Sequence, residues 1–370
     1  MSTKKRIEEL TIKGFKSIED LDKFRLRWLN ILIGANGAGK SNFISYFRML
    51  SEMVEQRLQK WVTSQGGADR IVSFGIKETN KLESYIEFDR NGYRFVLEPT
   101  AEGDFLFAKE ELFFDGPQFG PKWDRFGSGH KESLLKDTFK NRPFGSTADY
   151  CYSSITSWKV FHFHDTSDTA GVKRWCSLHD NEYLRPDASN LAAYLYLLHE
   201  EHNDVYEQIR KTVRLAIPFF DDFVLKPRTL QSGEEQIRLL WKQQGSDYAL
   251  WPSQLSDGSI RFICLTTALM QPDPPATIII DEPELGLHPY AIVLLGALLR
   301  AASNQMQVIV STQSVPLVNE FSIDDLIIVE RKDGNTSFQR HDEQDFAAWL
   351  ETYSVGELWE KNILGGRPQK

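Results

Sequence analysis

The sequence predicts an α/β fold: a mixed sheet carrying a phosphate-binding loop, joined to an antiparallel β subdomain and interrupted by an inserted helical lobe. Three observations predict it. The octapeptide GANGAGKS, Gly34 to Ser41, stands between a short apolar run and an amphipathic helical pattern. The runs TIII at Thr277 to Ile280 and QVIV at Gln307 to Val310 are apolar throughout and alternate with helical patterns, as strands buried on both faces of a parallel sheet do. From Arg70 to Asp115 the pattern changes to short alternating runs such as SYIEFDRNGYRFVLE, the signature of antiparallel strands.

Taken in order, Arg6 to Ile18 alternates Leu10 and Ile12 with Thr11 and Lys13, a half-buried strand, and Trp28 to Ile33 is the apolar strand that enters the glycine-rich loop. After Ser41, Phe43, Tyr46, Phe47 and Leu50 fall on one helical face. The Asn91-Gly92 pair marks a hairpin turn. Gly116 to Thr147 is rich in Gly, Pro, Lys and aromatic residues without a period and reads as a long irregular loop, part of the lobe between Gly116 and Pro218 expected to carry a partner contact, with a surface loop that has no partner as the alternative. Trp158 to His164 reads as a strand, and Ser189 to Ala216 as two helices broken near His202-Asn203 and closed by Pro218. Two further strands are expected between Phe223 and Trp251, then a helix from Ile260 to Met270, and at the end a polar hairpin and two short helices. The expected divisions are 1–115 and 223–342 as the two halves of one nucleotide-binding head, 116–222 as the inserted lobe, and 343–370 as a helical tail.

A chain of 370 residues can bury a sizeable core. Its net charge of −9 lacks the basic field of a non-specific nucleic-acid coat, though a local basic groove is compatible with it. Cys151, Cys176 and Cys264 are too few and too widely spaced for a disulfide framework or a CxxC zinc site, and read as packed thiols in a reducing compartment. No run of about 18 apolar residues and no apolar leader is visible. The expectation is a cytoplasmic protein with no membrane association.

GANGAGKS fits GxxxxGK[ST] in the strand-loop-helix context that gives the pattern its meaning. Backbone N–H groups of Gly34, Ala35, Asn36, Gly37, Ala38 and Gly39, continuing to Asn42, would surround ATP phosphates; Lys40 would reach the β- and γ-phosphates and the Ser41 hydroxyl would ligate Mg²⁺. The second metal carboxylate is Asp281 at the end of TIIID, and Glu282 after it is placed to deprotonate the attacking water. A pair of acids there could instead cap the following helix.

LSDGS, Leu255 to Ser259, opens a helix whose N-terminus is an anion site, or which Ser256 or Asp257 simply caps. The order of P-loop, LSDGS, IIIDEPE, LGLHP and a strand ending STQS resembles the ABC-type ATPases of the RecF/SMC group. More narrowly, LSDGSIRFICL, DEPELGLHP and GELWEKNILGG resemble stand-alone RecF-like bacterial ATPases of the AAA type. The resemblance covers the head at both ends of the chain and is weak through the middle. It implies ATP and Mg²⁺ as ligands, ATP hydrolysis, and a homodimer, or a higher oligomer built from it, in which Ser256 and Gly258 of one copy contact the γ-phosphate held by the other. Ser259 and Arg261 could add contacts where LSDGS departs from LSGGQ. Gln313 stands where the family commonly has histidine, and hydrogen-bonds without titrating. Lys16 and Ser17 resemble a first-strand basic element near the phosphates, with solvated surface as the alternative; Gln65 and Gln118 are candidates for the glutamine that family members place near the metal.

His162 and His164 lie on one strand face and could hold a metal if His179 or a carboxylate joined them; packed histidines are the simpler reading. His288 is expected to order the loop after Glu284. Asp165, Asp168, Asp180 and Asp187 give no two-metal nuclease spacing. Prolines at 99, 117, 121, 143, 186, 218, 227 and 252, and the lack of sustained heptads, exclude a long coiled coil between Ser41 and Leu255. The function expected is an ATP-driven switch on a partner effector, a nuclease or toxin, in bacterial anti-phage defence. The alternatives are a RecF-like DNA-repair ATPase with weak DNA binding, and an assembly module that holds ATP as a structural ligand.

Overall fold

The computed structural model describes residues 4–117 and 120–366. Its central sheet runs, edge to edge, through Asn335–Gln339, Leu326–Lys332, Leu29–Ile33, Gln307–Thr312, Thr277–Asp281 and Lys159–Phe161. All neighbours pair parallel except the Leu326–Lys332 and Asn335–Gln339 hairpin. Both faces are covered, which is why these strands read as unbroken apolar runs. Ile31, Ile33, Ile278, Ile280, Val308 and Val310 face one core, and Leu32, Ile279 and Ile309 the other, the period of two that strand geometry imposes.

The first core is closed by the helices Leu191–Glu201, Asn203–Ala216, Asp257–Leu269 and Pro289–Ala302. The second holds the helix Lys40–Val54 between the central sheet and an antiparallel sheet. Phe43 and Phe47 meet edge to face at 5.2 Å, and Phe47 meets Trp158 at 5.4 Å. Emptying the Phe47 site would cost about 3–5 kcal/mol, so the P-loop helix is fixed by its packing rather than by its short loop.

The antiparallel sheet runs Ile18–Arg25, Glu9–Phe15, Leu82–Phe88, Asn91–Pro99, Phe105–Gly116 and Gly120–Gly127. Two expectations are corrected here. The hairpin turn is Asp89-Arg90, because Phe88 pairs with Asn91; Gly92 is inside the strand, where a Cβ would meet the Tyr85 ring at 2.7 Å. About half of the described residues of 116–147 are regular: Gly120–Gly127 pairs with Phe105–Gly116, and Leu135–Lys140 is helical. An exposed edge strand has no apolar face to give it a period, and Pro121 is compatible with an edge. Between Phe220 and Leu250 the chain forms five short strands rather than two.

The helices break at His202 and end before Pro218, and the terminal hairpin and short helices lie where the residue pattern put them. Cys151, Cys176 and Cys264 are free thiols, and burial pushes Cys264 up to about 12. Among the described residues no helix is long and apolar enough to cross a membrane.

Candidate functional site

The strand Leu29–Ile33 is fully buried and delivers Gly34 to Ser41 to the C-terminal end of the sheet. Gly39, the N-cap of the helix Lys40–Val54, has φ +114, and a Cβ there would strike the Thr336 side chain, whose Cγ2 would lie at 2.7 Å. Only glycine lets the loop close this tightly. Thr336 braces the loop from behind: its hydroxyl meets Ser17 Oγ at 2.7 Å and donates to the Ala38 carbonyl at 2.9 Å. Asn42 donates to the same Ser17 at 2.7 Å. Ser17 thus supports the P-loop helix. Nothing in the residue pattern around Thr336 marked it, because its link to Ala38 crosses most of the chain.

Lys40 is buried, and its ammonium donates to the carbonyls of Gly34 at 2.6 Å and Ala35 at 3.1 Å. Burial holds its pKa below the ordinary lysine value, opposed by the nearby charges of Glu282, Asp281 and Glu284. Those three carboxylates belong to the loop leaving Thr277–Asp281, separated from the P-loop strand by Gln307–Thr312. Asp281 accepts from Ser311 Oγ at 2.7 Å. Glu282 has a φ of +43, in the left-handed region that residues with a Cβ seldom occupy. Its backbone N–H still reaches the Ser311 carbonyl at 2.8 Å, and its carboxylate accepts from the Gln313 side-chain amide. Glu284 is buried; it accepts from Thr312 Oγ1 at 2.5 Å and from the Gln313 N–H at 3.2 Å. Desolvation raises its carboxyl above the ordinary range. The charges of Asp281, Glu282 and Glu284 thus act on Lys40, Gln313 holds Glu282, and the exposed Ser41 lies in the first turn of the helix that Lys40 begins.

Ser256 caps the helix Asp257–Leu269, accepting from the Ser259 N–H at 3.1 Å and sharing a 2.8 Å contact with the Ser259 hydroxyl. The capping expectation is met, and Ser256 remains exposed. Gly258 lies against the Gly286 backbone, and Asp257 is 3.6 Å from Lys173. Among the described residues no hydrogen bond joins 256–259 to the P-loop of the same chain.

Arg261 is engaged within its own chain. It is 8 % exposed, and its guanidinium donates to the carbonyls of Phe163 at 2.9 Å and His164 at 3.4 Å and to that of Leu285. It ties the start of the LSDGS helix to the loop after Glu284.

Lys16 reaches Ser45 Oγ at 2.7 Å and Gln65 Oε1 at 3.4 Å. Burial, then Arg48, lowers its pKa. Gln65 is thus beside Lys16, with no hydrogen bond to the carboxylates among the described residues, and Gln118 lies outside those residues. The His162 and His164 rings meet at 4.0 Å, tilted by 31°, and His164 Nε2 meets the Asp281 carbonyl at 3.1 Å. His179 does not join them but is 3.8 Å from Glu235. His288 caps the helix Pro289–Ala302, accepting from the Tyr290 N–H at 3.3 Å, the ordering role expected of it.

Residues 29–319 match the family model described as "AAA domain, putative AbiEii toxin, Type IV TA system". The fold is similar to an Smc head bound to the C-winged-helix domain of ScpA, with a TM-score of 0.59 at 14 % identity over 94 % of this chain and 99 % of that one. It is also similar to an Smc head with an extended coiled coil bound to the C-terminal domain of ScpA derived from Pyrococcus furiosus, with a TM-score of 0.55 at 15 % identity over 94 % and 98 %. Over 108 residues, 28 % of this chain, it is 32 % identical to urease accessory protein 2 of Cryptococcus neoformans var. grubii serotype A, and that stretch spans only 8 % of the fungal protein. The P-loop, the carboxylate strand and a family match that runs through both thus make the chain a member of this AAA domain family, with a fold similar to that of Smc heads.

Proposed function

We propose that the chain is an ATPase whose heads pair around two ATP molecules, and that closure of the pair is a switch read by a partner protein. The observation that carries this reading is the convergence of Lys40, Asp281, Glu282 and Gln313 at the ends of neighbouring strands, while Ser256 to Ser259 stays exposed or half-buried without a bond to that loop.

The donor set suits a hard divalent cation: a hydroxyl at Ser41 and a carboxylate at Asp281, both oxygen ligands of the kind Mg²⁺ prefers. When bound, Mg²⁺ supplies charge neutralisation for the phosphates. The loop N–H groups other than that of Ala35, which meets the Gly366 carbonyl, orient the phosphates, and Lys40 turns from the Gly34 and Ala35 carbonyls to the β- and γ-oxygens. Glu282, held by Gln313, accepts a proton from the attacking water. Ser256 and Gly258 of the second copy complete the site, an isologous arrangement with two-fold symmetry.

Two comparisons support a partner reading: Smc heads have been solved with domains of ScpA seated on them, and the matching family is described as a putative toxin of a type IV toxin–antitoxin system. In this reading the partner is an effector or its restraint, in anti-phage defence. The net charge of −9 ranks this above DNA clamping.

The test is ATP-dependent association. Glu282→Gln, which keeps the hydrogen bond to Gln313 but loses the base, should hydrolyse ATP at least about a hundredfold more slowly and accumulate dimer by light scattering, whereas Lys40→Ala should stay monomeric. A Glu282→Gln protein that turns over at the parental rate removes Glu282 as base.

A further inference from the structure

The tail segment Ser354–Gly366 passes directly over the phosphate loop. Its helix Val355–Glu360 packs on Val315–Val318, the helix that follows Gln313, and the Gly356 N–H donates to Asn319 Oδ1 at 2.7 Å. Leu358, Trp359 and Leu364 are buried, and the Leu364 carbonyl meets His341 Nε2 at 3.0 Å. The chain then turns at Gly365-Gly366. The Gly366 N–H donates to Glu330 Oε1 at 2.6 Å, and its carbonyl accepts the Ala35 N–H at 2.9 Å. A pocket of about 380 Å³ lies between the two segments, walled by Gly34 to Asn36 and Gln313 on one side and by Trp359, Glu360 and Gly366 on the other.

We propose that Ser354–Gly366 is a strap belonging to the nucleotide site, in which Gly366, fixed by Glu330, positions the first residues of the phosphate loop. The proposal rests on the ATP-binding reading above. The loop's opening peptides are held from two sides: Lys40 takes the Gly34 and Ala35 carbonyls from inside, and Gly366 takes the Ala35 N–H from outside. When Lys40 turns to the phosphates the inner hold is given up, and the outer one keeps Gly34 to Asn36 in place. A loop held in its binding conformation spends less ordering entropy on the ligand, so the strap acts on affinity. Because the same helix packs on the segment after Gln313, the strap also links the phosphate loop to the residue that holds Glu282. Gly366 and Glu330 touch no phosphate in this scheme and are positioning residues.

The experiment measures ATP-Mg²⁺ affinity by calorimetry, and thermal unfolding without nucleotide, on four proteins: the parent, a chain ending at Leu364, Glu330→Ala and Glu330→Gln. The cut at Leu364 keeps the packed Leu358, Trp359 and Leu364 and removes the carbonyl on Ala35. The cut chain and Glu330→Ala should each bind ATP about fivefold to tenfold more weakly, the loss expected of one hydrogen bond, with unfolding midpoints within about 2 °C of the parent. Glu330→Gln retains an acceptor oxygen for the Gly366 N–H and should bind within about twofold of the parent. Parental affinity in the cut chain, or Glu330→Gln as weak as Glu330→Ala, overturns the proposal. A parent that binds no ATP overturns the ATP-binding reading instead.

Discussion

Gln313 donates its side-chain amide to the Glu282 carboxylate, joining the ends of two neighbouring strands. The amide orients the carboxylate and carries no proton of its own to give or take in the physiological range. Replacing Gln313 by Ala should leave ATP affinity within about threefold and lower turnover about tenfold to a hundredfold, because the proton acceptor stays but loses its orientation. Gln313→His should retain more activity than Gln313→Ala and add a dependence on pH near the ordinary histidine value. Steady-state phosphate release between pH 5.5 and 8.5 decides it; a Gln313→Ala enzyme at parental kcat means that Glu282 is oriented by its backbone alone.

Glu284 gives a pH dependence of stability with a definite sign. Desolvation raises its carboxyl above the unfolded value, with Glu282 adding in the same direction. The folded chain therefore holds that proton more tightly than the unfolded chain. Below the ordinary carboxylate pKa both states are protonated and nothing is lost; as pH rises through the raised value the buried charge is penalised and stability falls. Glu284→Gln cannot ionise, so its melting temperature minus that of the parent should increase between pH 4 and pH 8, by the order of 2 °C. A difference that is flat or falls with pH shows that the bonds from Thr312 and Gln313 outweigh desolvation.

The parts of the site that lie close together in the chain were the parts legible in it. GANGAGKS carries its loop, lysine and hydroxyl within eight residues, and TIIIDEPE carries three carboxylates behind an apolar run, so residue type and spacing were enough. Residues whose partners are distant in sequence left no such trace. Thr336 touches Ala38, Gly366 touches Ala35 and Arg261 touches Phe163 only because the chain folds back. The Asn91-Gly92 signal failed for a related reason: Gly92 is required by the Tyr85 ring on the neighbouring strand, a contact that imitates a turn residue in the sequence.

DNA clamping makes a separate, quantitative claim. A head that closed on duplex by neutralising phosphates would lose about 0.9 log units of affinity per log unit of salt for each contact. With a net charge of −9, binding weaker than micromolar is expected at physiological ionic strength, with or without ATP. Fluorescence anisotropy with a labelled duplex at several salt concentrations measures it. Nanomolar, ATP-dependent affinity with a steep salt slope would promote the repair reading over the effector switch.

The trans role of Ser256 leads to a complementation experiment. Ser256 is exposed, caps its own helix and makes no hydrogen bond to its own P-loop among the described residues; in the paired-head reading it meets the phosphate held by the second copy. Ser256→Arg places a bulky cation at that tip and leaves the P-loop of its own chain untouched. Lys40→Ala does the reverse, weakening its own P-loop while presenting an intact Ser256 to a partner. Each protein alone should fall to a few per cent of parental turnover, since every site in either homodimer has one damaged half. In a heterodimer, one site joins the intact P-loop of the Ser256→Arg chain to the intact Ser256 of the Lys40→Ala chain, and the other site carries both lesions. Random pairing of equal amounts yields one half heterodimers, each with one of two sites working, so about a quarter of parental activity should return on mixing. Mixing with heterodimer formation followed by energy transfer between labelled subunits separates the outcomes. Heterodimers that form without recovered turnover place the action of Ser256 within its own chain.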